Sequence, residues 1–467
     1  MTALAKVRRM PPFRPRMILA LVAALTMGAP PASANLGSAS GAPLVVIRDA
    51  ETETLLRNFA TPLFRAAGLE PNLVRIIVIR DDAINSFVST GNRMFIHTGL
   101  IEKVASADGL IGVIAHETGH VYGGHLAKLP EIMRQAMIES VAALLIGAAA
   151  GVAGRDSGAA MGAAMGGSQM AQRGVLAFTR GMEQSADQDA MQFLDKNEWS
   201  ARGLLDLFHQ LEGEEALYSD MQDPYVLTHP LTRDRVAFVQ HHVDTSPYTN
   251  APLPPGWESD FQMVRAKLRG FLTPSSVTLA HVAANDNSAP ARYERAIALY
   301  RLGHTSEAVA LLDGLLAEQR TSPWLYEMKG QVLFEGGRVR EAIAAYHEAV
   351  RLAPGQPLIE QGLGRAMIES DDPTLLKPAI EQLQTALRGE RDDDFTWHQL
   401  GIAWGRLGNL GEANLALAEE ALLQGDLKAA HGFAGRAEEA LPPGPSRLRA
   451  QDITNAVKKE NRLGDEP

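Results

Sequence analysis

His116, Glu117 and His120 stand in the pattern H-E-x-x-H, and Glu183 and Asp187 follow further along the chain. On a helix of about 3.6 residues per turn, side chains four apart share a face, so both imidazoles can reach one metal ion. Imidazole nitrogen suits zinc, and the intervening Glu117 lies beside the open coordination position. Zinc held by two histidines and a carboxylate leaves a place for water, lowers its pKa from about 15.7 to about 7, and polarises a carbonyl. Glu117 is then positioned to take the water's proton and hand it to a leaving amine. The chemistry implied is hydrolysis of a peptide bond.

Two patterns could complete the ligand set. In H-E-x-x-H-x-x-G-x-x-H a glycine turns the chain to deliver a third histidine. Gly123 fits that turn, but Leu126 occupies the third histidine's place and His125 falls one residue early. The other pattern takes a carboxylate from a later helix. Residues 181–197 suit it, because Glu183 and Asp187 lie one turn apart on one face. Glu183 would bind the ion, and Asp187 would accept a hydrogen bond from a ligand imidazole's second nitrogen. Alone, that pair would read as a solvated acidic face; beside the histidine motif, ligation is the better reading. Residues 108–121 form the helix that must position the motif, with Asp108 as N-cap and Leu110, Ile111, Ile114 and Val121 as apolar anchors. Burying two histidines and a glutamate on such a helix is costly without a metal or polar partners.

Four segments in order extend the pattern beyond one motif. They are Asn85-Ser86-Phe87 with residues 94–101, His116 to Val121 with His125, Glu183 to Asp187, and Thr228-His229-Pro230 with Arg235. On these segments the stretch from about Leu44 to Gln240 resembles the family of the CAAX prenyl proteases and HtpX-like heat-shock proteases. With its C-terminal half included, the chain resembles that family's periplasmic, repeat-bearing beta-barrel assembly-enhancing proteases. Thr118, where the family usually has a hydrophobic residue, and the segment 88–93 are mild departures. The resemblance implies one zinc ion, a zincin-like helical metallopeptidase domain, and a role in envelope quality control. Its partners would be misfolded or stalled outer-membrane proteins as substrates, and the barrel-assembly machinery through the C-terminal half. It also implies that His229 occupies zinc's fourth position in a resting enzyme. Proline after His229 biases it towards extended backbone, from which the ring can project. Arg235, on the helix that follows, is placed to stabilise an oxyanion when the loop moves away.

Short strands at 73–80, 85–89 and 94–97, after a helix at 58–67, give a small sheet beside the active helix. Ser89, Thr90, Gly91, Asn92, Arg93 and Met94 are the candidate cleft-edge strand for pairing with an extended substrate, although an ordinary hairpin is equally compatible. At the N-terminus, Lys6, Arg8, Arg9, Arg14 and Arg16 precede an apolar run at 17–27 and Ala32-Ser33-Ala34. That is the order of a cleaved secretory signal peptide over 1–34, directing the chain to the periplasm. The run is short against the roughly 20 residues that a span needs. Removing five basic residues from 44 leaves 39 against 55 acids, a mature charge of −16. Such a surface disfavours nucleic acid, which is not expected as a partner. There is no cysteine, so neither a disulfide nor a lipid-bearing cysteine is available.

A second apolar stretch at 141–153, followed by the Gly/Ala run 158–167, reads as a buried helical hairpin, with peripheral membrane contact as the rival reading. The C-terminal third is repetitive. Ala308, Ala342, Ala379 and Ala413 are 34, 37 and 34 apart, against a tetratricopeptide period of about 34, and the longer gap holds Asp371-Asp372-Pro373. Gly425-Asp426 with Ala429, Phe433 and Ala437 adds a partial repeat, and Trp397 and Trp404 read as core. Stacked repeats offer a groove for protein partners. The remaining histidines lack ligand spacing.

The expected fold is mainly α. Signal peptide (1–34), metallopeptidase domain with a small β-sheet (35–245), linker with a bridging helix at 262–270 (246–290), α-solenoid of tetratricopeptide repeats (291–445) and tail (446–467) follow one another. An adaptor or chaperone with a latent metal site is the competing function; the intact ligand set favours the enzyme.

Overall fold

The computed structural model describes residues 45–128, 157–217, 229–282 and 285–464, together with positions 130, 131, 134 and 138. The expected signal peptide and the apolar stretch 141–153 lie outside the described residues. Contacts divide the chain into two compact units. Among the described residues, one contains 45–48 and 52–265; the other contains Asp49–Glu51 and the chain from Ala266 onward.

The first unit holds the sheet and the motif helix. Strands β1 (Val46–Ile47), β2 (Arg75–Ile79), β3 (Ser86–Ser89) and β4 (Arg93–His97) lie in the order β1-β2-β4-β3. β2 and β4 are parallel, and β3 pairs antiparallel with β4 in the register Ser86↔Ile96 and Ser89↔Arg93. This corrects the expected edge strand. Residues 89–94 are the end of one strand, a reversal and the start of the next, and the sheet's edges are Val46–Ile47 and Ser86–Ser89. Left-handed backbone at Gly91 (φ 78°) and Asn92 (φ 54°) makes the reversal, as these two residue types readily do.

Helix α1 (Ala50–Ala66) precedes β2, and α2 (Thr98–Lys103) leads from β4 into α3 (Ala107–Tyr122). The N-cap of α3 is Ser106, whose hydroxyl accepts from Gly109 N at 3.3 Å. Asp108, expected as the cap, sits inside the first turn instead. Leu110, Ile111 and Ile114 are buried as anticipated. Each contributes about 1.5–3 kcal/mol by leaving water, which offsets polar burial on the same helix. Three helices pack around this centre: α4 (Ser157–Lys196), α5 (Arg202–Leu217) and α6 (Arg233–Thr245). Residues 158–167 are the opening turns of α4, which runs unbroken to Glu183 and beyond. Among the described residues no helix is long and apolar enough to cross a membrane.

Helix α7 (Trp257–Leu272) is longer than the bridging helix expected at 262–270, and α8 (Ser275–His281) follows it. The second unit is then a run of helical hairpins of tetratricopeptide type. The pairs are α9 (Ala289–Arg301) with α10 (Thr305–Glu318), α11 (Pro323–Glu335) with α12 (Val339–Leu352), and α13 (Pro357–Glu369) with α14 (Leu376–Gly389). α15 (Asp394–Arg406) with α16 (Leu410–Leu423) and α17 (Leu427–Ala440) with α18 (Pro445–Gly464) complete the series. Ala308, Ala342, Ala379 and Ala413 are each the fourth residue of a second helix, and all are buried where paired helices meet. The longer gap contains Asp371 at φ 57° and a short 3-10 turn, Pro373–Leu375. The segment expected as a tail is the helix α18, whose Ala450, Ile453 and Val457 pack on the last repeat. Trp397 and Trp404 are half-buried rather than core, and Trp397 Nε1 donates to the Arg391 carbonyl at 2.8 Å.

One polar cluster lies deep in this unit. Lys267 Nζ is 2.6 Å from Asp49 and 3.3 Å from both Glu51 and Glu327, and the Tyr293 hydroxyl donates to Glu51 at 3.0 Å. Burial pushes the Glu51 carboxyl up to about 7 despite the neighbouring ammonium.

Candidate metal centre

The geometry begins with α3. His116, Glu117 and His120 are all buried on it, at 0%, 0% and 7% exposure. Gly119 lies between the motif's last positions for a steric reason. A Cβ there would stand 2.7 Å from the Ala186 carbonyl oxygen and 2.9 Å from its Cα, so only glycine lets α4 approach this closely. That approach carries Glu183 and Asp187 onto the histidines. Thr118 satisfies its own hydroxyl by donating to the Ile114 carbonyl at 2.7 Å, so the departure at this position costs no buried polar group.

Glu183 Oε2 lies 3.3 Å from His116 Nε2, and Oε1 lies 3.4 Å from His120 Nε2. The two Nε2 atoms are 3.1 Å apart. His229 Nδ1 enters the same space, 3.2 Å from Glu183 Oε2 and 3.4 Å from His116 Nε2. One donor atom from each of His116, His120, Glu183 and His229 falls within 4.8 Å of the others. The proton positions follow from the partners. His116 donates Nδ1–H to Asp187 at 2.8 Å, and His229 donates Nε2–H to the Ser86 carbonyl at 3.0 Å. Their other nitrogens therefore point lone pairs at one another and at a carboxylate. Converging acceptors repel unless a cation or a proton lies between them.

The charge count agrees. Among the described residues, Glu117, Glu183 and Asp187 are buried carboxylates facing one buried guanidinium, Arg235, a formal charge of −2. A divalent cation would neutralise it, and nitrogen with oxygen donors suits zinc. Without the ion, protons take up part of the task. Burial opposes charge on His116, yet Asp187 and Glu183 outweigh it and push its pKa up to about 9. Burial likewise opposes the Glu183 charge, and the imidazoles of His116, His120 and His229 hold its carboxyl far below the ordinary range.

Glu117 points into the same space. Its Oε1 accepts from the Ser86 hydroxyl at 2.7 Å, while Oε2 is buried with no hydrogen-bond partner among the described residues. An unpaired buried carboxylate oxygen costs stability, and it is the atom a proton-transfer role requires. Ser86, whose role no local sequence pattern signals, thus aims the base from the edge strand. His125, one residue early for a third histidine ligand, places its Nδ1 3.0 Å from His120 Nδ1.

Arg235 departs from expectation. Nε and Nη2 donate to Asp187 at 2.6 and 2.9 Å, and Nη1 pairs with Glu183 at 3.0 Å and donates to the Pro230 carbonyl at 3.1 Å. Its guanidinium also stacks over Phe208 at 5.1 Å. All three nitrogens are engaged, so in this structure Arg235 is a positioning residue and not an open oxyanion donor. The residues of the expected edge strand do not join the site; Ser86 does.

Residues 48–243 match the description of Peptidase family M48. Over 399 residues the chain is 24% identical to the beta-barrel assembly-enhancing protease of Yersinia pestis, covering 82% of this chain and 79% of that protein. The putative beta-barrel assembly-enhancing protease of Vibrio cholerae is 26% identical over 407 residues, covering 85% and 82%. Among solved structures, MamA from Desulfovibrio magneticus covers 39% of this chain and all of its own at 16% identity and a TM-score of 0.30. The H-E-x-x-H helix, the glutamate from the later helix and the buried donor set all lie inside the matched span, and the chain thus carries a peptidase family M48 domain over residues 48–243.

Proposed function

We propose that this protein is a zinc metalloendopeptidase of the periplasm that degrades misassembled outer-membrane proteins and assists their assembly. The observation that carries the reading is the convergence of four buried donor atoms with an unpartnered Glu117 oxygen beside them. Relatives named for assembly-enhancing proteolysis, matched over most of their length, supply the biological setting.

His116, His120 and Glu183 would hold the ion, which when bound supplies Lewis-acid polarisation of a carbonyl and acidification of water. The protein's own residues do the rest. Ser86 fixes one oxygen of Glu117, leaving the other to take a proton from the attacking water and deliver it to the departing amine. Asp187 holds the Nδ1 proton of His116 and with it the ring's plane. Arg235 ties Asp187, Glu183 and the Pro230 backbone together. A substrate strand would pair along Ser86–Ser89, the sheet edge nearest Glu117, giving affinity through backbone bonds with little side-chain selectivity.

His229 is the resting-state plug in this reading. Its Nδ1 stands as a fourth donor, and withdrawal of the 229–230 segment would open that position to water. The proposed division of labour keeps proteolysis within 35–245 and partner recognition within the repeats of 291–445, which engage the barrel-assembly machinery. The leader at 1–34 would deliver the chain to the periplasm.

The test is quantitative proteomics of envelopes carrying wild type or Glu117→Gln. Accumulation of misassembled outer-membrane proteins in the mutant supports the reading. Indistinguishable profiles with assembly intact in both would favour an adaptor or chaperone with a latent metal site.

A further inference from the structure

The two histidines of the motif are the same residue type on one helix, yet their outer nitrogens have unlike partners. His116 Nδ1 faces the carboxylate of Asp187 at 2.8 Å. His120 Nδ1 instead faces Nδ1 of His125 at 3.0 Å, and His125 is itself buried at 6% exposure. The rings meet edge to face, 82° apart with centroids 5.0 Å from each other.

A ring that presents the Nε2 lone pair inward must carry its proton on Nδ1, and a buried N–H needs an acceptor. Two nitrogens at hydrogen-bond distance share one proton only when one donates and the other accepts. His120 therefore donates Nδ1–H, and His125 accepts on Nδ1 while keeping its own proton on Nε2.

The chain is shaped to place this ring. Helix α3 ends at Tyr122, and Gly124 at φ 58° turns the backbone so that His125 returns over the helix end. A Cβ on Gly123 would stand 2.4 Å from His125 Nε2 and 2.8 Å from Cδ2 and Cε1. The absence of a side chain at 123 is what leaves room for the imidazole. His125 is not among the four residues whose donor atoms converge; it lies behind His120.

We propose that His125 is a positioning residue for the metal centre, accepting the Nδ1 proton of His120 and thereby fixing the tautomer and ring plane that aim Nε2 inward. The inference rests on the reading of the site as a zinc centre and extends it to a residue outside the ligand set.

The test uses full-length protein as wild type, His125→Ala, His125→Asn and Gly123→Ala. Zinc affinity is measured by competition with a chromogenic chelator, and the His120 tautomer by nitrogen–proton NMR of metal-free, histidine-labelled protein. We expect one zinc per chain throughout. Loss of an outer hydrogen-bond partner typically costs about 10–100-fold in affinity, so His125→Ala should weaken binding by that factor and lose the Nδ1–H signature of His120. His125→Asn, whose Oδ1 can accept in place of Nδ1, should recover most of both. Gly123→Ala, which displaces the ring, should resemble His125→Ala. Unchanged affinity and tautomer in His125→Ala would overturn the proposal. So would loss of stoichiometric zinc in both His125 variants, which would make His125 a ligand. Absence of zinc binding by wild type would instead overturn the metal reading, and the tautomer measurement on metal-free protein would still decide the role of His125.

Discussion

Replacing Arg235 with methionine tests how the centre is held together. Arg235 is 1% exposed and, among the described residues, is the one guanidinium set against Asp187 and Glu183, which are 0% and 2% exposed. Methionine keeps much of the packing against Phe208 and removes only the charge and its donors. Breaking a buried pair from one side typically costs about 3–5 kcal/mol, because the remaining charge stays desolvated. For a unit of roughly 200 residues each kcal/mol lowers the midpoint by about 2–4 °C, giving a fall of about 6–20 °C. Differential scanning calorimetry of chelator-treated protein should show that fall in the peptidase unit's transition. The repeats' transition should hardly move, since they contact mainly their neighbours. A midpoint within about 2 °C of wild type, with the untreated variant holding zinc but no longer proteolytic, would refute the argument. It would return Arg235 to the oxyanion role expected from sequence.

Three further outcomes follow from the same geometry. Glu183→Ala should lose stoichiometric zinc in elemental analysis of purified protein; full retention would remove Glu183 from the ligand set. His229→Ala should keep zinc and raise basal hydrolysis of an unfolded substrate such as casein; abolished activity with metal retained would make His229 catalytic and not a plug. For Glu51, burial raises the carboxyl from 4.5 to about 7. Between those values the folded state binds the proton that the unfolded chain releases. Stability is therefore greatest below about 4.5 and falls as pH rises through about 7. Glu51→Gln should flatten that dependence in urea unfolding of the repeat unit, and an unaltered slope would count against the buried cluster.

Much of the site was legible because ligation imposes spacing. His116, Glu117 and His120 must share a helix face, and Glu183 and Asp187 must lie one turn apart, so each is visible as a pattern. Residues that act by tertiary approach leave weaker marks. Ser86 touches Glu117 from a strand thirty-one positions away, and no local periodicity encodes that. His229 was readable only through family resemblance, since a lone loop histidine has no pattern. Arg235 is legible as a site residue, but its contacts with Asp187 and Glu183 are not, because charge type does not say which acid it faces. For residues 89–94 an edge strand and a hairpin are both compatible with the sequence, and Gly91-Asn92 tips the backbone to the reversal. The helix at 445–464 had a signal in the apolar spacing of Ala450, Ile453 and Val457. Among the repeats, the alanine register located the second helices because only a small side chain fits where paired helices cross.

The most direct test of the central claim is the hydrolysis rate of Glu117→Gln against a casein substrate, with zinc content measured on the same sample. Glutamine preserves the side chain's shape and its contact with Ser86, and it removes the proton-accepting oxygen. A full complement of zinc with a rate reduced by about 10²–10⁴-fold is the predicted result. A zinc-loaded Glu117→Gln protein that cleaves casein as fast as wild type would contradict the account.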